Sequence, residues 1–446
     1  MKDSWQYKLR VLILPGLKRW ILFIFCGIAV IVFGVLLLLE EHPVRMMLDF
    51  TNAMLSDATR VLPHKISGII AISIGGLLTA AAVGKLALSV LGAYVVPDER
   101  ESIPDVLFRK RRLDRGPRVV VIGGGTGLST LLRGLKQFTN NITAIVTVGD
   151  DGGSSGRLRE ELGVLPPGDI RNCITALADE DKLVTELFRY RFQQGNGLEG
   201  HSFGNLFLTA VCAITNGDML EAARVASRVL KSCGQVLPST LNGMTLVAKF
   251  ADGQTVSGEC NIAETGKLIK KRRCQPENPA ATPQALEAIE NAEFLILGPG
   301  SLYTSIIPNL LVAGVPEAIM RSRARKVYVC NVRTQKGETS SYTVADHVRA
   351  LLEHAGLPEG SQLGLPNRLL DRVLVHADEY DPDRLKTLGV RPMVRDVAST
   401  TLPGHHDPQK LAEALMLWYV RRKNRKMFWQ NPPHAGEEPA AIAATL

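Results

Sequence analysis

The chain has 446 residues, of which 46% are hydrophobic and 22% charged, a composition that excludes a disordered or fibrous protein. Seven scattered cysteines without a CxxC pair indicate neither a disulfide framework nor a zinc site. The net charge of +8 comes from three basic blocks, 1–19, 109–118 and 421–426, which carry +4, +5 and +5 and leave the remainder at −6. A broad nucleic-acid-binding face is therefore excluded, and no nucleic-acid partner is expected.

Two uncharged segments near the amino terminus, 20–39 and 66–84, predict a transmembrane hairpin, because about 20 helical residues cross a hydrocarbon core of about 30 Å. A cleaved signal peptide is the alternative for the first segment. Basic residues flank the outer ends of the hairpin but are not in excess in its loop, so the positive-inside rule places both termini in the cytoplasm. The sequence thus predicts a two-pass protein anchored in the inner (cytoplasmic) membrane.

Four regions follow from this division of the chain. They are a hairpin region over 1–97, a basic linker over 98–117, a cytoplasmic α/β domain over 118–420 and a disordered tail over 421–446 that is first basic and then rich in Pro and Ala.

The α/β domain opens with a buried strand over 118–122, a glycine run and an apolar-periodic helix over 128–138. Glycines allow the backbone to approach a phosphate closely, and the free N–H groups at a helix start favour an anion. Packing alone also explains such turns, so this signal is weak by itself.

A second strand over 142–148 ends in Asp150 and Asp151, followed by further glycines. Open α/β sheets bind ligands at the carboxyl ends of their strands. Two adjacent aspartates there can accept hydrogen bonds from a ribose or hold a divalent cation. A capped, solvated turn is the alternative for either one.

Two more polar clusters follow, at 166–172 and 199–205, and each precedes a helical stretch. In the second, His201 is suited to donate to a phosphate or to act as a general acid. It is nearly as well explained as a loop residue that orders its neighbours.

Beyond a predicted β-hairpin around Asp252-Gly253, a strand over 293–297 leads into a third glycine turn, 298–305, and further strands follow at 326–332 and 372–376. Tyr303 in that turn can stack on a base or pack the turn. The alternation of strands and helices predicts a doubly wound, mostly parallel sheet.

Six runs together resemble one family: GGGTGLS (123–129), GDDGGSSGRLR (149–159), PPGDIRN (166–172), EGHSFGN (199–205), GPGSLYTS (298–305) and NVRTQKGET (331–339). It is the YvcK-like branch of the CofD-like proteins, often called gluconeogenesis factors. Their order and spacing over about 118–420 are far more specific than any single run. The resemblance implies a CofD-like, Rossmann-like α/β fold with a nucleotide site at the carboxyl edge of the sheet.

The resemblance also implies a set of site residues. The diphosphate would be cradled by Gly124, Gly125, Thr126 and Gly127, with Gly300 and Ser301 in the later turn as further phosphate-binding candidates. Asp150 and Asp151 would hold the ribose or Mg²⁺, Asp169, Arg171, Asn172, His201 and Asn205 would line the cleft, and Tyr303 would flank the nucleotide sugar. No catalytic residue is assigned, and Asp169 and His201 are the candidates.

Two functional hypotheses remain from the resemblance. One is a regulatory protein that binds a UDP-sugar and links central carbon metabolism to cell-envelope growth and cell shape. The other is a metal-dependent transferase of the 2-phospho-L-lactate type that acts on a nucleoside-diphosphate donor. A dinucleotide oxidoreductase is a weaker third class, because the later glycine turns are not expected there. The sequence leaves open whether the protein is an enzyme and whether it forms a homo-oligomer.

Overall fold

A computed structural model describes residues 111–178, 182–250, 252–265, 269–357, 369–376 and 380–428. The chain divides into two compact units, Met1–Lys110 and Arg111–Leu446, and all of the description concerns the second. Its strands are β1 (Val119–Gly123), β2 (Ile142–Val146), β3 (Gln235–Pro238), β4 (Thr245–Phe250), β5 (Thr255–Ser257), β6 (Ile269–Gln275), β7 (Phe294–Leu297), β8 (Arg325–Val329), β9 (Arg372–Val375) and β10 (Arg391–Val394).

Helices connect these strands. They are α1 (Gly125–Leu135), α2 (Gly153–Leu162), α3 (Gly168–Leu177), α4 (Lys182–Arg189), α5 (Phe203–Ile214), α6 (Met219–Val229), α7 (Glu259–Glu264), α8 (Pro283–Asn291), a π-helical turn (Leu302–Ile306), α9 (Ile307–Leu310), α10 (Val315–Arg321), α11 (Val344–His354), α12 (Pro382–Thr387) and α13 (Pro408–Phe428).

Seven strands form one parallel sheet in the order β3-β2-β1-β7-β8-β9-β10. The strands run outwards from β1 in both directions, so the order reverses between β1 and β7, where Ile122 pairs with Leu297. This is a doubly wound sheet, and it confirms the predicted mostly parallel α/β fold. Strands β3 and β10, which form its two edges, were not predicted.

Both faces of the sheet are buried, which explains why its central strands are almost entirely apolar. Along β1, Val120 and Ile122 join one hydrophobic core, whereas Val119 and Val121 join the other. Successive side chains of a strand point to opposite faces, so each core receives every second residue.

A second, antiparallel sheet has the order β5-β4-β6. Strands β4 and β5 form the hairpin predicted around Asp252-Gly253, and β6 adds a third strand that the sequence did not indicate. Leu246 of β4 packs against Gly149, where an added Cβ would meet its side chain at 3.2 Å. The small sheet therefore lies beside the loop that follows β2.

The predicted two-pass placement in the inner membrane is contradicted. No helix within the described ranges is long and apolar enough to cross a membrane; α13, the longest of them with 21 residues, is interrupted by several Lys and Arg residues. The two segments that carried the prediction, 20–39 and 66–84, lie outside the described residues.

Helix α13 continues to Phe428. The sequence predicts a disordered tail over 421–446, but residues 421–428 belong to this helix. Residues 429–446 lie outside the described part of the chain.

Candidate functional site

Two of the glycine turns meet where the strand order reverses. The first follows β1 and the second follows β7, and a Cβ on Gly127 would lie 2.7 Å from the carbonyl oxygen of Pro299. No side chain fits in that space, so glycine is required for the two turns to pack together. In open α/β sheets the crevice at this reversal is the usual ligand site.

The amino terminus of α1 faces this crevice, and its N-cap residue has no side chain that could cap the helix. Its N-cap residue is Gly124, and Gly125 follows with a φ of +65°, a conformation that side chains disfavour. The N–H of Gly125 donates to the carboxyl group of Asp169, while Thr126 is exposed at the surface. The other N–H groups of this first turn, with the positive end of the helix dipole, favour an anion.

Asp169, in the first turn of α3, approaches this turn very closely. A Cβ on Gly124 would lie 2.6 Å from Asp169 Oδ2. Burial, and then the nearby charge of Asp150, raise the pKa of Asp169 to about 7. Asp169 therefore carries a titratable proton near neutral pH at the bottom of the crevice.

Glu259 is a third carboxyl group in this neighbourhood, and sequence reasoning missed it. Burial, followed by the charges of Asp150 and Asp169, raises its pKa to about 9. It begins α7 and lies 90 residues beyond Asp169 in the chain, so no local pattern indicated its position. Three carboxyl groups thus repel one another when ionised.

The adjacent aspartates have different environments. Asp150 accepts a hydrogen bond from Gly152 N–H through Oδ1 at 2.9 Å, and its Oδ2 has no hydrogen bond within the described part of the chain. Asp151 uses both oxygens to accept from the N–H groups of Glu259, at 2.7 Å, and Cys260, at 3.0 Å. Asp151 therefore caps α7 and fastens it to the loop after β2.

The carboxyl groups beside the crevice provide some, but not all, of the oxygen ligands that a hard cation such as Mg²⁺ needs. Among the described residues, no group of three or more His, Cys, Asp or Glu side chains is arranged to hold a metal ion. Asp150 and Asp169 still offer carboxylate oxygens whose charges oppose each other, and Mg²⁺ is commonly held by one or two carboxylates with substrate phosphates. A cation at this place would depend on the ligand for its remaining oxygens.

A buried polar triplet lies beside the aspartates. Ser154 Oγ is 3.0 Å from His201 Nδ1, and Asn205 Nδ2 donates to the same oxygen at 3.0 Å. Burial, and then the charge of Arg157, lower the pKa of His201, so its ring is neutral at pH 7. The sequence-predicted His201 and Asn205 are thus brought together, with Ser154 as a partner that was not predicted.

Residues 152–156 also match the GxSxG pattern of serine hydrolases, with Ser154 at its centre. In those enzymes the serine lies on a strained strand-to-helix turn. Ser154 is inside α2 and is not among the described residues with positive φ. The match therefore lacks the backbone geometry of a nucleophile elbow.

Arg171 and Asn172 lie on α3 and contact each other, since Arg171 Nη2 donates to Asn172 Oδ1 at 2.8 Å. Burial, and then the charge of Arg191, lower the pKa of Arg171, while Asp169 and Asp150 act in the opposite sense. The charges of the two aspartates and of Arg191 thus have opposite effects on Arg171.

The turn after β7 is held by the loop after β8. Asn331 Nδ2 donates to the carbonyl oxygen of Gly300 at 2.8 Å, and Gln335 Nε2 donates to Ser301 Oγ at 2.9 Å. Both residues belong to the run NVRTQKGET, whose role the sequence did not specify. They fix the position of Gly300 and Ser301 in the crevice.

Tyr303 packs this turn. Its side chain is only 2% exposed, its hydroxyl oxygen is 2.6 Å from that of Tyr342, and its ring meets His354 edge to face. Arg272 Nη1 donates to the carbonyl oxygen of Tyr303 at 2.5 Å. Of the two predicted roles for Tyr303, the geometry favours packing.

Taken together, the doubly wound sheet, the paired glycine turns at its point of reversal and the adjacent carboxyl groups define an α/β domain with a candidate ligand crevice at the carboxyl ends of its strands. A family model described as 2-phospho-L-lactate transferase CofD matches residues 119–412. The chain belongs to this CofD-like family, in the branch of the gluconeogenesis factors.

Individual relatives support the assignment. A Nostoc protein is 48% identical over 427 residues, which cover 91% of each chain. The gluconeogenesis factor of Bacillus subtilis is 50% identical over 270 residues, or 60% of this chain and 81% of that one. A Bacillus halodurans protein with a known crystal structure is 44% identical in sequence. The structural match has a TM-score of 0.63 and covers 68% of this chain and all of that one.

Proposed function

We propose that the domain is a regulatory protein that binds a nucleotide sugar, specifically a UDP-sugar, and links central carbon metabolism to cell-envelope growth and cell shape. The observation that carries the proposal is the contact between the two glycine turns, in which Gly127 has no space for a Cβ against Pro299. This contact places the glycine backbone of both turns at the crevice, next to the amino terminus of α1, an arrangement that suits a diphosphate. Gly124, Gly125, Thr126 and Gly127 would contact it, with Gly300 and Ser301 opposite.

The charges of the site argue for a divalent cation in the complex. A diphosphate placed beside Asp150 and Asp169 would be repelled unless its charge were neutralised. When bound, Mg²⁺ would supply that neutralisation and orient the phosphate oxygens. Asp150 and Asp169 would hold it, whereas Asp151 is committed to α7.

The proposal is tested by a thermal-shift screen of the full chain against UDP-glucose, UDP-N-acetylglucosamine, GDP and NAD, each with and without MgCl₂. A ligand that binds only the folded state raises its stability by mass action. The UDP-sugars should raise the midpoint of unfolding, and more so with Mg²⁺. Stabilisation by NAD instead of a UDP-sugar would favour the oxidoreductase class and overturn the proposal.

A metal-dependent transferase of the 2-phospho-L-lactate type is the second candidate. It is favoured by Asp169, whose pKa of about 7 matches that of a group able to move a proton at neutral pH. Positioning and charge neutralisation would then supply most of the rate. Release of a nucleoside mono- or diphosphate from the donor, detected by chromatography, would support this candidate if it depends on Mg²⁺ and is lost in Asp169→Asn. An unchanged donor would exclude it.

A further inference from the structure

Arginines that are scattered along the sequence come together beside the crevice. Arg157 and Arg191 line one cavity there. Arg191 and Arg189 also act on Arg171, and Arg157 and Arg191 on His201, because their charges, after burial, lower the pKa of these groups.

Within the described ranges, none of these arginines lies within salt-bridge distance of a carboxylate. Clustered cations of this kind create a positive local field that attracts anions. A domain whose charges cancel over 118–420 thus has a basic region next to its candidate site.

Two of the arginines border a cavity of about 500 Å³ over the first turn of α2. Its lining includes Arg157, Arg191, Gly153 and Ser154, together with two carboxylates, Asp151 and Glu160. Both oxygens of Asp151 accept hydrogen bonds from α7. Glu160 is exposed, and the N-cap of α2, Gly152, provides no side-chain cap.

The arginine head groups are held in place by the loop before α5. Arg157 Nη2 donates to the carbonyl oxygen of Glu199 at 2.7 Å, and Arg191 Nη1 donates to that of Gly200. A Cβ on Gly200 would come within 2.9 Å of Arg157 Nη2. Because a guanidinium group has five N–H donors, each arginine keeps donors for a ligand.

We infer that this cavity is a subsite for a second anionic group, a carboxylate or a phosphate, on the same ligand that the glycine turns bind. The inference rests on the proposed function, because it extends that ligand. The two places adjoin, because Asp151 in the lining of the cavity directly follows Asp150, whose Oδ2 would lie 3.2 Å from a Cβ on Gly168, next to Asp169. Arginine is suited to both groups through paired N–H donors.

The test uses two ligands that differ by one carboxylate, UDP-glucose and UDP-glucuronate, titrated calorimetrically into the full chain with MgCl₂. Wild type should bind UDP-glucuronate about tenfold more tightly, because a charge-assisted hydrogen bond is worth about one decade of affinity or more. Arg157→Gln and Arg191→Gln should lose this preference, and Arg191→Lys should retain part of it. Arg224→Gln, at an exposed arginine on α6, is the matched control and should behave as wild type.

Equal affinity of wild type for the two ligands, or an unchanged preference in both Gln variants, would overturn the subsite. A second experiment adds inorganic pyrophosphate, which contains no nucleotide, and measures the thermal stability of each protein. It tests whether the cavity binds a phosphate group. If pyrophosphate stabilises wild type and Arg224→Gln, and stabilises Arg157→Gln and Arg191→Gln less, the subsite is supported. Equal stabilisation of all four proteins, or no stabilisation of any, counts against it. If neither UDP-sugar binds, the proposed function fails, and the pyrophosphate arm still decides the subsite.

Discussion

The carboxyl group of Asp169 closes the space above Gly124, so that a Cβ at residue 124 would lie 2.6 Å from Asp169 Oδ2. Two runs that are separate in the sequence, the glycine run after β1 and the acidic start of α3, thus share one wall of the crevice. The contact joins the phosphate-binding candidates to the group with the pKa nearest neutrality in the site.

Gly124→Ala should therefore disturb the crevice. Its Cβ would also lie 2.7 Å from Thr147 Cγ2, and overpacking of this kind costs about 1–3 kcal/mol. We expect a lower free energy of unfolding in urea and weaker UDP-glucose binding. Gly123→Ala is the control, because its Cβ would meet no atom nearer than 3.6 Å; equal effects of the two variants would contradict the account.

Substitutions of Asp150 and Asp151 should have different effects, because Asp150 would bind the ligand whereas Asp151 holds α7 in place. Asp151→Ala removes both hydrogen bonds to the start of α7 and should lower the free energy of unfolding by about 2 kcal/mol, with little change in UDP-glucose affinity. Asp150→Asn keeps an acceptor for Gly152 N–H and relieves repulsion, so its stability should not fall. Its Mg²⁺-dependent affinity should drop at least about tenfold. The reverse assignment of effects would refute these roles.

The raised pKa of Asp169 predicts a pH dependence of stability. The unfolded carboxyl group ionises near its ordinary value of 3.8, whereas the folded one does so at about 7. Between these values the folded state binds more protons, so the contribution of Asp169 to the free energy of unfolding falls as pH rises from about 4 to 7 and is level outside that window.

Urea unfolding at pH 5 and pH 7, with EDTA present, measures this dependence. Wild type should lose stability relative to Asp169→Asn over that interval. Glu259, with its pKa of about 9, changes stability in the same direction in both proteins, so the difference between them reports Asp169 together with the effect of its charge on Glu259. Parallel pH profiles would show that Asp169 titrates normally.

Tyr303→Phe distinguishes packing from ligand stacking. Loss of the hydroxyl group that contacts Tyr342 at 2.6 Å should lower stability by about 1 kcal/mol and leave UDP-glucose affinity unchanged. Tyr190→Phe, at a tyrosine that is 52% exposed, is the control for stability. A tenfold loss of affinity in Tyr303→Phe at wild-type stability would restore Tyr303 to the binding site.

The sequence predicted the parts of this site that depend on strand ends. Parallel strands bring their carboxyl ends to one edge, so the runs after β1, β2 and β7 had to meet there, and the family resemblance placed Asp169 and His201 beside them. It did not predict contacts across long separations, such as Asp151 with Glu259, 108 residues away. Net charge was also uninformative locally, because the sum conceals the arginines that the fold brings together beside the crevice.

Calorimetric titration of UDP-glucose into the full chain, with MgCl₂ and with EDTA, tests the central claim most directly. The account predicts saturable binding at one site with Mg²⁺, and binding at least about tenfold weaker with EDTA or in Asp150→Asn. No heat in wild type, or equal affinity in all three titrations, would contradict a cation-assisted nucleotide-sugar site at the paired glycine turns.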